Sequence, residues 1–279
     1  MRKVAFVCDS AADVSKQEAE QLGIHVVRMP LVIDGQEYIE EESIQDHQII
    51  KALRDGKRIH TSQPSVGELK RLWDTLLDSY DEIIYLPISK ELSGTYNNAS
   101  LLANDYQGKV IVIESRFVCY PVIKMLEVAK EMVTAGYDSI QIKHTLEQEG
   151  ELFAILIPEN LHTLKNGGRI SPAAAALGGL LKIHPLLKVE HGAIDVEGKV
   201  RTIKKAYQQG IQRVLEGINP DDYDWMIIDA DNREMSNCLK KELESILHQS
   251  VEQRSFKSVI MSHTGPGTIG FGRIKKIKF

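Results

Sequence analysis

Short apolar segments alternate with helical patterns through the first half of the chain, and this alternation constrains the fold more than any other feature of the sequence. The apolar segments occupy residues 4–8, 24–29, 82–88 and 109–114. Their continuous hydrophobic character is typical of strands buried on both faces. Ser15 and Ser65 each stand three residues before a glutamate, the spacing of a capping box, and Gly23 is placed to end the first helix. Alternating strands and helices predict a mainly parallel sheet with right-handed crossovers.

Other parts of the chain depart from this pattern. Asp34 and Gly35 separate two apolar runs and predict a local hairpin. Two consecutive helical patterns, at about 119–134 and 138–149, close the first half. Beyond them we predict strands at 152–158, within 186–202, at 224–230 and at 256–262, and helices at 203–216 and 233–248. We therefore predict an α/β fold of two domains. The N-terminal domain (1–150) has a mainly parallel sheet flanked by helices, and the C-terminal domain (151–279) has a mixed, partly antiparallel sheet.

Composition narrows the class of protein. The net charge of −5 and the pI of about 6.0 argue against broad nucleic-acid binding. The three cysteines lie far apart and form no C-x-x-C motif, which suits free thiols in a reducing compartment. The first apolar run ends at Asp9 and is too short for a secretory signal. We predict a cytoplasmic protein.

The segment 262–272 contains the letters of a dinucleotide-binding fingerprint. Gly265, Gly267 and Gly270 have the spacing G-x-G-x-x-G. Such a site also needs a following helix, a second strand and an acidic residue about 20 positions on. Only nine residues follow Gly270, and Pro266 lacks an N–H for a phosphate. The dinucleotide interpretation fails, and the loop alone favours a turn between two strands that exposes His263.

Two other loops carry clustered hydroxyl groups. Thr61 and Ser62 lie just before a helix that starts near Ser65, and Ser93 with Gly94 lies at the first turn of another helix. Helix N-termini expose unpaired N–H groups and about half a positive charge. Simple N-capping explains either loop alone. Two such loops in neighbouring strand–helix units favour an anion site at the carboxyl ends of the strands.

Three further features each leave two interpretations open. Arg169 follows two glycines and either reaches a carboxylate or phosphate or is a surface residue after a helix end. Asp9 and Asp13 either hold a metal or, as we prefer, tie down the turn after the first strand. The tail 273–279 carries four positive charges and is either a docking patch for an acidic partner or, preferably, an edge strand protected by lysine.

Several catalytic motifs are absent from the sequence. It has no P-loop, no H-E-x-x-H, no G-x-S-x-G and no zinc-ligand spacing. No metal and no cofactor is therefore predicted. Ser93 and His263 are a conceivable nucleophile and base, but the sequence offers no convincing orienting acid.

Six motifs, in this order and spacing, resemble those of the DegV family over essentially the whole chain. They read CDSAAD, TSQPS, LSGTYNNA, LKNGGRIS, KVRT and SHTGPGT. The resemblance implies two α/β domains that bury a long-chain fatty acid between them, with the carboxylate near the junction. It also implies that the protein presents this acid to the catalytic subunit of a bacterial fatty acid kinase, which uses ATP to form an acyl phosphate.

The resemblance assigns roles residue by residue. Thr61, Ser93 and His263 would bind the carboxylate. Weaker candidates in the same motifs are Ser62, Gly94, Thr264 and Thr268. Arg169 and Arg201 match arginines that would govern ligand exchange or kinase engagement. The bound acid is a ligand rather than a cofactor, no nucleic-acid partner is expected, and transient membrane contact stays open.

One segment departs from the family pattern. Where a helix start rich in Ser and Gly is usual, this chain has bulky Phe117, Tyr120 and Pro121 within 116–121. The preferred acyl length and unsaturation therefore stay open. Two alternatives to a carrier also stay open: a hydrolase or acyltransferase that uses Ser93 and His263, and a binder of another small anion.

Overall fold

The structure, a computed structural model, describes residues 2–177 and 183–279. The strands are β1 Val4–Asp9, β2 His25–Val27, β3 Pro30–Ile33, β4 Gln36–Ile39, β5 Ile59–Thr61, β6 Glu82–Leu86, β7 Val110–Val112, β8 Leu152–Ile157, β9 His184–Glu190, β10 Ala193–Val200, β11 Tyr223–Asp229, β12 Val251–Ser255 and β13 Ile269–Lys275. The helices are α1 Lys16–Leu22, α2 Asp46–Arg54, α3 Val66–Leu77, α4 Thr95–Ala103, α5 Pro121–Thr134, α6 Ser139–Glu149, α7 His162–Gly167, α8 Pro172–Ala176, α9 Ile203–Leu215, α10 Arg233–Leu247 and α11 Ser258–Thr264.

The chain divides into two compact units. The first unit comprises Met1–Gln45, Thr61–Gly150 and Ile277–Phe279, and the second comprises Asp46–His60 and Glu151–Lys276. Two segments therefore differ from a simple division at residue 150. Asp46, at the start of α2, accepts a hydrogen bond from the Ser258 hydroxyl at 2.7 Å, which ties α2 to the second unit. At the other end of the chain, the Phe279 ring packs edge-on against Tyr137 of the first unit.

The first unit contains the predicted parallel sheet. Its strand order is β2-β1-β6-β7, and every pairing is parallel. All six residues of β1 are buried, as expected for a strand covered on both faces. The helix signals are also confirmed, since Ser15 Oγ accepts the Glu18 N–H at 3.1 Å and Gly23 ends α1 at a φ of 61°. Asp34 and Gly35 form the predicted hairpin turn with positive φ angles.

The second unit contains a mixed sheet, which confirms the predicted fold class. The strand order is β10-β9-β8-β13-β11-β12, and its pairings are antiparallel except between β11 and β12. Its core packs side chains of β8, β11 and β13 against α9 and α10.

The predicted strand at 256–262 is wrong, because Ser258–Thr264 form the helix α11. Six of the seven residues of this short helix are buried, so buried and exposed positions do not alternate with the period of 3.6 residues that marks an amphipathic helix. A short apolar run of this kind does not distinguish a strand from a buried helix. The strand that does precede it, β12, reads VEQRS and was missed because most of its residues are polar.

The interpretation of the C-terminal tail as an edge strand is also wrong. Strand β13 lies between β8 and β11, in the interior of the sheet. Its Arg273 is 7% exposed, donates to the Val214 carbonyl at 2.6 Å, and lies 4.7 Å above the Phe153 ring. A Cβ on Gly272 would lie 2.5 Å from the Ala154 Cα, so the strands approach too closely for a side chain.

Candidate functional site

The two hydroxyl-bearing loops of the first unit meet each other. Ser62, directly after Thr61, donates its N–H to the Pro30 carbonyl at 3.1 Å, which fixes the first loop beside β3. A Cβ added to Gly94 in the second loop would lie 3.1 Å from Gln63 Oε1. The two loops are therefore close together, as predicted. The prediction assumed that both loops follow strands of one parallel sheet, whereas β5, which precedes the Thr61 loop, belongs to the separate sheet β4-β3-β5. Thr61 is half-buried and Ser62 is exposed.

Ser93 belongs to a pair of hydroxyls at the start of α4. Its Oγ lies 2.8 Å from Thr95 Oγ1 and accepts the Thr95 N–H at 3.3 Å. Gly94 occupies the N-cap position and provides no side-chain cap. The half-buried Ser93 hydroxyl therefore lies where the positive end of the helix dipole favours an anion.

Asp9 anchors the loop that carries Ser93. Its carboxylate accepts the Ala11 N–H at 3.0 Å and the Ile88 N–H at 2.9 Å, which joins the ends of β1 and β6. Burial raises the pKa of Asp9 to about 6, although both backbone hydrogen bonds act to lower it. The preferred interpretation of Asp9 as a turn anchor is confirmed. No local pattern predicts its partner at Ile88, which is distant in the chain.

The segment 116–121, with its bulky Phe117, Tyr120 and Pro121, is hydrogen-bonded to the loops that follow β1 and β6. Phe117 is 1% exposed, and its carbonyl accepts the Ser89 N–H at 2.9 Å. Cys119 has a φ of 62° and donates its N–H to the Ala11 carbonyl at 2.8 Å. The bulky residues are therefore part of the packing that holds the loops after β1 and β6.

His263 lies in the last turn of α11 in the second unit and is half-buried. Burial lowers its pKa to about 4, and the positive charges of Arg169 and His60 add to this effect. The imidazole is therefore neutral at pH 7. A neutral imidazole has one donor nitrogen and one acceptor nitrogen, so it can donate a single hydrogen bond to a carboxylate.

The glycine pair before Arg169 allows a close approach to His263. A Cβ added to Gly167 would lie 2.7 Å from His263 Nδ1, closer than real Cβ contacts come. Arg169 is exposed, and its guanidinium donates to the Gly167 carbonyl. Two residues after Arg169, Ser171 donates its N–H to the Ile194 carbonyl of β10 at 3.1 Å. Gly167 therefore packs closely against His263, and the positive charge of Arg169 helps to lower the pKa of the imidazole.

Thr264 and Thr268 are buried, and both hydroxyls donate within their own segment. Thr264 Oγ1 donates to the Ile260 carbonyl at 3.2 Å, and Thr268 Oγ1 donates to the Thr264 carbonyl at 2.8 Å. The loop between them is tied to β11, because Gly267 donates to the Ala230 carbonyl at 2.6 Å. These hydroxyls therefore stabilise the loop that follows His263.

Arg201 occupies a separate surface position. It lies between β10 and α9, immediately before Thr202, whose hydroxyl caps α9. It is exposed and makes no hydrogen bond or ion pair to any residue that the structure describes.

The described part of the chain has neither a membrane-spanning helix nor a metal-binding cluster. No helix within residues 2–177 and 183–279 is both long and apolar enough to cross a bilayer. The same part of the chain contains no group of three or more His, Cys, Asp or Glu side chains that could hold a metal ion. Cys8, Cys119 and Cys238 are free thiols, and burial raises the pKa of the first two.

Comparison with known proteins gives one consistent result. Residues 3–276 match the family described as "Uncharacterised protein, DegV family". A DegV domain-containing protein from Deinococcus radiodurans is 31% identical over 274 residues, which cover 96% of each chain.

Two solved structures are also similar along almost their full length. A DegV family protein from Thermus thermophilus, described for its fatty acid binding, is 28% identical with a TM-score of 0.87, covering 98% of this chain and 99% of its own. A stearic acid-binding protein from Eubacterium ventriosum is 26% identical with a TM-score of 0.87, covering 99% of both chains. With matches to the family and to its solved structures along almost its whole length, the chain belongs to the DegV family.

Proposed function

We propose that the protein binds a long-chain fatty acid and that Thr61, Ser93 and His263 hydrogen-bond its carboxylate. The observation that carries the proposal is the proximity of the Thr61 and Ser93 loops, since a Cβ added to Gly94 would lie 3.1 Å from Gln63 Oε1. Fatty acid binding by the similar proteins from Thermus thermophilus and Eubacterium ventriosum supports it. Ser62, Gly94, Thr264 and Thr268 shape the loops on which these groups stand.

The energetics suit a carrier with few polar contacts. A buried methylene gains about 0.8 kcal/mol, so a chain of roughly 14 methylenes gains ~11 kcal/mol before ordering costs. Burial of the carboxylate opposes binding, because burying an unpaired charge has a large unfavourable free energy. Hydroxyl donors and a neutral imidazole offset this cost without bringing a second charge into the site.

The electrostatics argue against the alternative of a hydrolase or acyltransferase. General-base catalysis is most effective when the pKa of the base lies near the working pH. The pKa of His263 is about 4, so its imidazole is a weak base at pH 7. Within the first unit, Ser93 Oγ has Thr95 Oγ1 as its hydrogen-bonding neighbour rather than an imidazole.

We further propose that the protein presents the bound acid to a kinase subunit in the cytoplasm. The kinase would supply ATP and transfer a phosphoryl group to the carboxylate, giving an acyl phosphate for phospholipid synthesis. Arg169, beside Gly167, and the exposed Arg201 are the proposed residues for ligand exchange and kinase engagement. Transient contact with a membrane would deliver the acid.

A double-mutant cycle tests the carboxylate site. Ser93→Ala and His263→Gln are measured singly and together by displacement of a fluorescent fatty acid, with Ser79→Ala as an exposed control in the first unit. Hydrogen bonds to a charged group are worth about 1.5–3 kcal/mol, so each single variant should bind at least about tenfold more weakly. If both residues hold one carboxylate, the two losses will not add. If both single variants bind fatty acid with wild-type affinity, neither Ser93 nor His263 belongs to the carboxylate site.

The same protein tests the enzymatic alternative. Incubation with an acyl thioester and mass spectrometry of the intact chain would reveal a covalent acyl group on Ser93. The proposed carrier gives no stoichiometric adduct. A stoichiometric acyl-Ser93 that disappears in His263→Gln would establish the alternative and refute the carrier.

A further inference from the structure

The second unit has an open cleft that the proposed carboxylate site does not use. It lies between the end of α2 and the helix α7. The residues that define this basic cleft are Lys57, Arg58, His60, His162, Asn166 and Gly167. Leu53, Ile59 and the backbone of Gly56 complete one wall.

Positive and hydrogen-bond-donating groups dominate this cleft. Among the described residues that line it, none is acidic. Two nearby acids, Glu159 and Asp231, lie 3.4 Å and 3.3 Å from the guanidinium of Arg54 and are thereby paired. Asp55 is paired with Lys51 at 2.6 Å. The lining that contains Arg58, His60 and His162 therefore includes no carboxylate among its described residues.

The end of α2 explains only part of this arrangement. The helix stops at Gly56, which has a φ of 79°, and Lys57 donates its N–H back to the Ala52 carbonyl at 2.9 Å. Cations are favoured beside a helix C-terminus, which accounts for Lys57 and Arg58. It does not account for His60 on β5 or His162 on α7, which come from other elements and line the same space.

The ring of His162 is held in place. Asn166, one turn later on α7, has its side-chain nitrogen 3.3 Å from His162 Nδ1. The His162 N–H donates to Asn160 at 3.0 Å, so the start of the helix is also fixed. An amide and an imidazole of α7 are thus positioned on the lining of the cleft that also contains Arg58.

The basic cleft shares a wall with the His263 environment. Gly167 lines the cleft and is also the residue whose added Cβ would meet His263 Nδ1 at 2.7 Å. Ser262, directly before His263 in the chain, lines the cleft as well. The charge of His60 acts on the His263 imidazole, which places both rings within electrostatic reach. An anion in the cleft would therefore lie next to the residue proposed to hold the carboxylate.

We infer that the basic cleft binds a phosphoryl group, with Arg58, His60 and His162 as its principal contacts. A guanidinium group and imidazole N–H groups favour a doubly charged oxyanion, and arginine matches its geometry with paired N–H groups. This inference rests on the proposed function for the source of the group, which would be the acyl phosphate product or the nucleotide of the partner kinase. The cleft would receive the phosphoryl group beside the carboxylate that accepts it.

Titration with inorganic phosphate tests the cleft independently of the fatty acid. The ring proton signals of His60 and His162 are followed by NMR in the full chain at constant ionic strength, with chloride as the reference anion. We expect saturable shifts of both histidines with phosphate and none with chloride. Arg58→Gln should weaken the binding about tenfold, the loss expected for one charge-assisted hydrogen bond. Arg71→Gln, which removes an exposed arginine from α3 in the first unit, should leave it unchanged.

Two further measurements separate the outcomes. His162→Gln keeps a polar side chain on α7 and should also weaken phosphate binding, while retention of fatty acid stays at the wild-type level. A long-chain alkyl phosphonate that competes with phosphate identifies the acyl phosphate as the source, and competition by ADP alone identifies the nucleotide. Shifts that do not saturate, or that persist unchanged in Arg58→Gln and His162→Gln, overturn the inference. Normal phosphate binding by a protein that takes up no fatty acid would instead refute the proposed function and leave the cleft established.

Discussion

Replacing Gly167 with alanine perturbs His263 without removing any polar group. The new Cβ would lie 2.7 Å from His263 Nδ1 and 3.6 Å from its Cγ, so the imidazole must move by several tenths of an ångström. Gly167 is the last residue of α7 and does not have the left-handed backbone of Gly168. Alanine favours a helix over glycine by about 1 kcal/mol, which works against a loss of stability. A displaced imidazole should lose about 1.5–3 kcal/mol of hydrogen bonding to the carboxylate, or at least a tenfold loss of fatty acid affinity.

Fluorescent fatty acid displacement measures this loss, and the ring signals of His263 report whether the imidazole has moved. Gly67→Ala is the matched control, because Gly67 is also helical and has no atom within 4 Å of an added Cβ. The control should bind fatty acid like the wild type. Wild-type affinity in Gly167→Ala together with shifted His263 signals would refute the role of His263 in the site. Unshifted His263 signals would refute the packing argument itself.

Three further predictions concern titration and the kinase. NMR titration should give His263 a pKa of about 4 in the ligand-free protein and a higher value with fatty acid bound, since a neighbouring carboxylate favours the imidazolium; equal values contradict the contact. The raised pKa of Asp9 contributes stability that is fully present below its unfolded value of 3.8 and is lost as the pH rises through about 6, up to about 3 kcal/mol in all. Chemical denaturation should therefore show that the stability difference between the wild type and Asp9→Asn decreases from pH 4 to pH 7. A difference that stays constant or increases over this range contradicts the prediction. Arg201→Ala should reduce kinase-dependent phosphorylation of the fatty acid, measured by hydroxylamine trapping, more than it reduces binding; equal losses would place Arg201 in the pocket.

Local sequence signals predicted most of the first unit because they are determined by neighbouring residues. Ser15 and Gly23 delimit α1 through hydrogen bonds within a few residues, and Asp34-Gly35 supplies the positive φ angles of the hairpin turn. The loops of Thr61 and Ser93 were predicted to be close, and Gln63 and Gly94 meet. The reason given for that proximity was incomplete, since β5 is not part of the parallel sheet.

The failures share a physical cause, which is tertiary context. All residues of helix α11 except His263 are buried, so burial rather than an amphipathic pattern determines its sequence. Strand β13 lies inside the sheet although lysines follow it, because its neighbours β8 and β11 come from distant parts of the chain. The placement of residues 46–60 with the second unit likewise depends on contacts such as Asp46 to Ser258, which no local pattern predicts.

The central claim is that this chain carries a fatty acid, and extraction of the purified protein tests it most directly. Native mass spectrometry gives the stoichiometry, and mass spectrometry of an organic-solvent extract identifies the acyl chain. We predict one long-chain fatty acid per chain, restored by incubation with stearate after delipidation and retained less well by Ser93→Ala. A protein that yields no fatty acid and takes up none when stearate is added would contradict the claim.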